Sequence, residues 1–233
     1  MKVSFWHQLL DLLAPRLCVV CGRRLSMTER VLCVVCNLHL PRTNFHLDAY
    51  NNVMARLFWG IIPIERAAAL FRYEAGSKVS NIIYDLKYHD QPEIGREMGR
   101  FVALSFIEAN FFDGIDAIVP VPLTKKRQRQ RGYNQSFCIA KGISRVTGLP
   151  IYDKVVCRTR FVQSQTQIGH WERQKNVENV FKLKDADAIR GRHILLVDDV
   201  VTTGATIAAC ARELLKAGDV KISLLSLGFA KSG

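Results

Sequence analysis

The 233-residue chain contains no window of about 18 uninterrupted apolar residues, so no transmembrane helix is expected. Its first stretch, MKVSFWHQLLDLLAPRLC, has one lysine and an apolar run, but His7 and Asp11 interrupt the run and no small-x-small cleavage site follows. It reads as a short amphipathic helix rather than an export signal, which makes a cytoplasmic location the expectation. There is no internal repeat and no low-complexity tract. The length fits one domain of ordinary size with a small appended module. The sequence GxxxxGK[ST] is also missing, which excludes a P-loop nucleotide site.

Acidic residues are scarce where basic ones gather. Lys and Arg number 33 against 21 Asp and Glu, a net charge of +12. That balance points to polyanionic partners: phosphate-bearing metabolites, nucleic acid or an acidic membrane face. Residues 125–131 (KKRQRQR) hold five cations and no acid, and residues 154–175 hold five cations and one acid, so the two segments carry +9 of the +12. Solvated loops would normally intersperse acids among such cations, and their scarcity favours an anion site.

Seven cysteines in a chain without an export signal are not expected to form disulfides. Four of them stand as Cys18-Val-Val-Cys21 and Cys33-Val-Val-Cys36, with eleven residues between the pairs and Gly22 just after the first. Each C-x2-C unit can wrap a turn that aims both sulfurs at one point, and two such turns complete a tetrahedral thiolate shell, for which Zn2+ is the natural occupant. His39 lies near enough to replace a ligand, but four thiolates already satisfy the metal. Cys138, Cys157 and Cys210 read as buried structural thiols. A module of roughly 40 residues cannot build a full core, so the metal would supply its folding energy and serve stability or partner binding rather than catalysis. Residues 1–60 are read as this zinc-ribbon-like module and linker, and 61–233 as the main domain. The stretch after Pro41, RTNFHLDAYNNVMARLFWGIIPIERAAALF, shows no clear period.

From about residue 70 helix and strand signals alternate. Met98, Phe101, Val102 and Phe106 mark one helix, and Ile139, Ile143 and Val146 another that Gly148-Leu-Pro150 stops. AIVPVPL (117–123), HILLVDD (193–199) and VKISLLSL (220–227) are strands, the last two joined by a helix on Ile207, Ala211, Leu214 and Leu215. Continuously apolar strands alternating with helices predict an α/β fold with a parallel sheet covered on both faces.

The segment ILLVDDVVTTGAT (194–206) carries the candidate site. Four apolar residues run into adjacent carboxylates, Asp198 and Asp199, at the carboxyl end of a strand, where such sheets bind ligands. Thr202, Thr203, Gly204, Ala205 and Thr206 then lead into a helix whose N–H groups and dipole can cradle a phosphate. Acids that accept hydrogen bonds from vicinal hydroxyls, beside a phosphate cradle, suit a sugar phosphate. An ordinary capped helix would explain Thr206 but not two acids, and a response-regulator acidic pair would need more chain after it.

These thirteen residues resemble the phosphoribosyl pyrophosphate (PRPP) loop of type I phosphoribosyltransferases. Together with the four cysteines, VPVPLTKKRQRQRGYNQS and SQTQIGHWERQKNVENVF, the chain resembles the ComF family of competence-associated proteins, close to the GntX-type proteins. The resemblance implies a type I phosphoribosyltransferase fold preceded by the zinc module, and PRPP bound with Mg2+. In it Asp198 and Asp199 take the ribose hydroxyls, and Thr202 to Thr206 the 5′-phosphate. Arg127 and Arg131 lie in a basic turn on the pyrophosphate side, and Gly132-Tyr133-Asn134-Gln135 opens the next helix. Gln165, Arg173, Asn176 and Phe181 match a flexible-lid segment, Arg173 joining Asp198, Asp199 and Arg131 as the catalytic candidates, and Lys87 matches a family lysine that a solvated helix end would explain equally well. The family glycine after the Lys-Tyr pair is displaced here to Gly95. The implied activity is phosphoribosyl transfer or exchange with an unknown acceptor, in competence and DNA uptake. The alternative is a non-catalytic adaptor that meets single-stranded DNA and competence or DNA-processing proteins, with Tyr133, Phe161 and Trp171 as stacking candidates.

Overall fold

A computed structural model describes residues 15–159 and 180–230. The stretch expected to form an amphipathic N-terminal helix and the segment with Phe161, Gln165, Trp171, Arg173 and Asn176 therefore lie wholly or largely outside the described residues. The helices, in chain order, are α1 (Val34–Leu38), α2 (Val53–Arg56), α3 (Asn81–Tyr88), α4 (Pro92–Phe106), α5 (Lys125–Arg131), α6 (Gln135–Thr147) and α7 (Ala205–Leu215). The strands are β1 (Arg66–Arg72), β2 (Ala117–Pro120), β3 (Val156–Arg158), β4 (Phe181–Leu183), β5 (His193–Val201) and β6 (Lys221–Phe229). Four of them form one parallel sheet in the order β1-β6-β5-β2, and β3 and β4 make a separate antiparallel ribbon.

The parallel sheet expected from the apolar runs is therefore present. Its central strands are buried along nearly their whole length, as strands covered on both faces must be. α4 and α6 pack on each other so closely that a Cβ on Gly99 would stand 2.1 Å from the Ile139 carbonyl oxygen, and one on Gly142 2.0 Å from that of Arg96. Both glycines are thus contact points between backbones. From β5 the chain passes through α7 to β6, its parallel neighbour in the sheet.

The stretch that showed no period in the sequence plugs the β1 edge. Thr43 donates its hydroxyl to the Ala69 carbonyl. Asn52 donates to the Ala67 carbonyl at 2.8 Å while its side-chain oxygen caps α2. Short turns held by side-chain bonds leave no hydrophobic period to read. On the amino-terminal side, Arg30 reaches Glu97 of α4 at 3.5 Å, and Arg100 holds the same carboxylate at 3.1 Å. Among the described residues no helix is long and apolar enough to cross a membrane.

Candidate phosphoribosyl site and cysteine cluster

β5 delivers the acid pair to the carboxyl edge of the sheet. Asp198 is level with Ser226 on β6, and Pro120 of β2 is level with Val197. α6 then fixes both acids. Its N-cap Asn134 accepts from Ser136 N–H at 3.0 Å and donates to the Val121 carbonyl at 3.0 Å, which ties the helix start to the end of β2. From that anchored turn Ser136 donates to Asp198 Oδ1 at 2.9 Å, and Gln135 Nε2 donates to Asp199 Oδ2 at 3.2 Å. The backbone N–H of Asp199 also donates to Asp198 Oδ1, at 2.9 Å.

The ammonium of Lys87, near the end of α3, lies 3.2 Å from Asp199 Oδ1. The reading of Lys87 as a solvated helix-end residue is thus set aside: its ammonium pairs with an almost wholly buried acid. Burial, followed by the charge of Asp199, pushes the Asp198 carboxyl up to about 7, against the opposing hydrogen bonds from Asp199 N–H and Ser136 and the charge of Lys87.

The loop after β5 turns on Gly204, which adopts φ +74 and lies against Phe58, whose ring would be 2.8 Å from any added Cβ. Glycine is needed twice there, for the left-handed backbone and for the close approach. The N-cap of α7, Gly204, has no side chain to offer, Thr203 Oγ1 accepts from Ala205 N–H at 3.5 Å, and this first turn borders a small cavity of about 40 Å3 walled by Asp198 and residues 200–207.

Next to it a cavity of about 160 Å3 is lined by Lys87, Arg127, Arg131, Arg158, both aspartates and Thr206, among others. The structure thus brings Asp198, Asp199, Thr206, Arg127 and Arg131 around one space. Thr202, Thr203, Gly204 and Ala205 line the smaller cavity beside it. An open cavity of about 700 Å3 extends outward over Lys87, Tyr88, Arg127 and Arg131, with the Arg131 guanidinium 5.4 Å from the Tyr88 ring centroid.

Three details differ from the sequence reading. Residues 125–131 form a helix rather than a basic turn, capped by Thr124, whose hydroxyl oxygen accepts from Arg127 N–H, and ended by Gly132 at φ +73. No residue of α5 is buried; a capped helix of about two turns, all Lys, Arg and Gln, has no apolar face that would have marked it as helix. Tyr133, a stacking candidate, is half-buried and donates its hydroxyl to the Leu86 carbonyl at 2.7 Å. The displaced family glycine has an explanation. Asp90, soon after Lys87-Tyr88, takes φ +50, a conformation aspartate tolerates better than most residues. Gly95 serves packing instead, since a Cβ there would meet that of Cys138 at 2.7 Å.

Read alone, the sequence assigns Gln135 and Ser136 no role on the acids, and it places Arg158 only among the cations of residues 154–175 without singling it out. The contacts with the acids are long-range, and only the GYNQS stretch hinted at them.

The ligand atoms of Cys18, Cys21, Cys33 and Cys36 all lie within 4.8 Å of one another, a cluster able to hold one metal ion. Cys21 and Cys33 sulfurs are 3.7 Å apart; a tetrahedral ion with bonds of about 2.3 Å sets its ligands about 3.8 Å apart. Cys33 N–H donates to Cys18 Sγ and Cys36 N–H to Cys33 Sγ, each at 3.4 Å. Burial pushes the Cys18 thiol up, but the N–H groups of Cys33, Cys21 and Val20 outweigh it and bring it down to about 7. Burial and the neighbouring thiols push Cys36 up. Backbone donors that favour thiolates suit a metal site.

A model of the phosphoribosyl transferase domain matches residues 135–230. DNA utilization protein YhgH of Escherichia coli is 32% identical over 214 residues, covering 91% of this chain and 89% of that protein. Competence protein F of Haemophilus influenzae is 31% identical over 156 residues, 65% of this chain and 68% of the relative. Competence protein ComFC of Bacillus subtilis is 36% identical over 101 residues, 43% and 39% of the two chains. Among solved structures, the B. subtilis glutamine PRPP amidotransferase covers 60% of this chain and 30% of its own at 19% identity and a TM-score of 0.40. Adenine phosphoribosyltransferase from Leishmania tarentolae covers 77% and 88% at 11% identity and a TM-score of 0.37. Those two likenesses are too distant to bear on the site. With a parallel α/β sheet that ends in this acid pair and threonine loop, an N-terminal four-cysteine cluster, and a relative above 30% identity along nine-tenths of its length, the chain belongs to the ComF family, which is built on a phosphoribosyltransferase-type domain.

Proposed function

We propose that this protein binds PRPP as its Mg2+ complex and transfers or exchanges the phosphoribosyl group with an acceptor. The observation that carries the proposal is the cavity of about 160 Å3 in which paired carboxylates, Thr206 and four cationic side chains meet. A basic site alone would suit any polyanion. Two acids inside it cost desolvation and repulsion, and a ligand that brings hydroxyl donors beside its phosphates offsets both.

Each group has a task. Asp198 and Asp199, held by Ser136 and Gln135, accept hydrogen bonds from the ribose hydroxyls. The threonine loop and the first turn of α7 hold the 5′-phosphate. Arg127 and Arg131 stand on the diphosphate side, while Lys87 supplies a cation between the acids and the basic helix. As the bond from the anomeric carbon to the diphosphate oxygen breaks, positive charge grows on the sugar and negative charge on the departing diphosphate. Preorganised cations on that side, together with the Mg2+ that travels on the substrate, then stabilise the transition state more than the ground state. The acceptor supplies the electron pair for the new bond.

We further infer that the cysteine cluster holds Zn2+. Its four thiols leave no ligand position open, so the metal supports the fold and takes no part in the transfer. The names of the relatives, competence protein and DNA utilization protein, support a role in competence and DNA use; single-stranded DNA and DNA-processing proteins are the partners we propose for such a role. The test is calorimetric titration of PRPP with Mg2+ into zinc-loaded protein and into an Asp198→Asn/Asp199→Asn double variant of verified fold and metal content. Micromolar binding that the variant loses supports the phosphoribosyl site. Absence of binding to the wild type sinks it and leaves a scaffold or nucleic-acid role.

A further inference from the structure

β3 ends on a guanidinium, that of Arg158, which lies half-buried with its carbon 5.3 Å from the ring centroid of Phe181, the residue level with it on β4. The β3–β4 ribbon is pinned in turn to α7, where Leu183 N–H donates to Glu213 Oε2 at 3.4 Å. Arg158 is therefore presented by a supported strand end, the kind of placement that holds a binding group accurately. It lines the cavity of about 160 Å3 together with Arg127 and the acid pair.

Its charge is poorly balanced. Burial and the charge of Arg127 both work against the ionised form, and Asp198 works for it. Yet among the described residues no carboxylate forms an ion pair with Arg158, and Asp198 is already engaged by Ser136 and by the N–H of Asp199. Two guanidiniums that line one cavity, neither of them in a direct ion pair among the described residues, are unfavourable in isolation. A ligand anion between them reverses the balance, because each can offer paired N–H donors to phosphate oxygens.

We infer that Arg158 is a further ligand-binding residue, and that it and Arg127 bracket one phosphoryl group of the diphosphate. The assignment rests on the phosphoribosyl reading of the site. It falls to the diphosphate rather than the 5′-phosphate because neither arginine lines the cavity of about 40 Å3 wrapped by the threonine loop, whereas both line the larger one.

The experiment titrates the full chain with three probes: PRPP with Mg2+, inorganic pyrophosphate with Mg2+, and ribose 5-phosphate. It compares wild type with Arg158→Gln and Arg158→Lys, and checks the fold of each by thermal unfolding. A lost charge-assisted contact of this kind is expected to weaken PRPP and pyrophosphate by about 10- to 100-fold in Arg158→Gln. Ribose 5-phosphate should change by less than about 3-fold, and Arg158→Lys should recover part of the loss by restoring charge without the planar fork. An Arg158→Gln protein that binds PRPP within about 3-fold of wild type overturns the inference, as does one that loses all three probes alike, the mark of a merely structural role. A wild type that binds none of the three refutes the phosphoribosyl reading itself and this inference with it.

Discussion

Replacing Asp198 by Asn removes the carboxyl that the fold holds most strongly against ionisation. Burial and the adjacent Asp199 raise it to about 7, whereas an unfolded aspartate titrates near 4. Between those values the folded chain keeps a proton that the unfolded chain has released. Stability contributed by this group is therefore full below about pH 4 and is lost as the pH climbs to 7. At about 1.4 kcal/mol per unit, a gap of about three units corresponds to ~4 kcal/mol, and sharing the repulsion with Asp199 reduces this to roughly 2–4 kcal/mol. Asn has nearly the same shape, and its oxygen can accept the same bonds from Ser136 and Asp199 N–H. Urea unfolding of both proteins from pH 5 to pH 8 should thus find Asp198→Asn the more stable by roughly 2–4 kcal/mol at pH 8, with the gap narrowing towards pH 5. A variant less stable than wild type at pH 8, or a difference that does not change with pH, refutes the argument. The same raised value predicts that PRPP binding releases a proton and weakens by up to about tenfold per unit below pH 7, seen as buffer-dependent heats in the titration.

Gly204→Ala should lose about 1–3 kcal/mol in an unfolding titration and most PRPP binding, because the backbone at φ +74 and the Phe58 ring 2.8 Å from the new Cβ cannot both be kept. Gly142→Ala should cost more than about 3 kcal/mol, since the Arg96 carbonyl oxygen 2.0 Å away belongs to helical backbone and cannot swing aside; an unchanged melting temperature would contradict the close crossing of α4 and α6. Lys87→Met should destabilise the protein at pH 7 by about 1–3 kcal/mol by leaving Asp199 without its cation, and Asp199→Asn in the same chain should recover much of that loss. Stripping the metal with a zinc chelator should release one ion per chain and lower the melting temperature, and Cys21→Ser should do the same without chelator; full stability after either treatment would argue against a structural metal.

What the sequence disclosed is local. The apolar run of β5, the acid pair and the threonine turn are contiguous in sequence, so one segment declares the strand and the proposed phosphoribosyl site together. The two C-x2-C units declare themselves in the same way, and the sulfurs do converge. The helices with an apolar stripe, α4, α6 and α7, were legible from their period, and Gly148 at φ +75 ends α6 where the glycine predicts. α5 was not, because helix signals come from an apolar face and α5 buries none of its residues. The plug over β1 was illegible for a related reason: its order comes from single side-chain bonds by Thr43 and Asn52 to carbonyls of β1. Arg158 and Lys87 reach the site from β3 and α3 across long stretches of chain, and no local pattern announces a partner that distant.

α6 links these levels. Gly142 and Ile139, both in its middle, lie against the backbone of α4. Its first two residues, Gln135 and Ser136, hold the two acids in place. α4 in turn carries Glu97, the carboxylate that Arg30 reaches from the segment between the cysteine pairs. β5 thus sets where the acids stand, and the approach of α6 to its neighbour sets where their donors stand. A loosened crossing would shift the donors of Gln135 and Ser136 relative to carboxylates whose position β5 keeps. Misplacement on the scale of 1 Å is enough to impair such a site. The small residues that a reading for function would pass over, Gly95, Gly99 and Gly142, thus bear on ligand binding through packing alone.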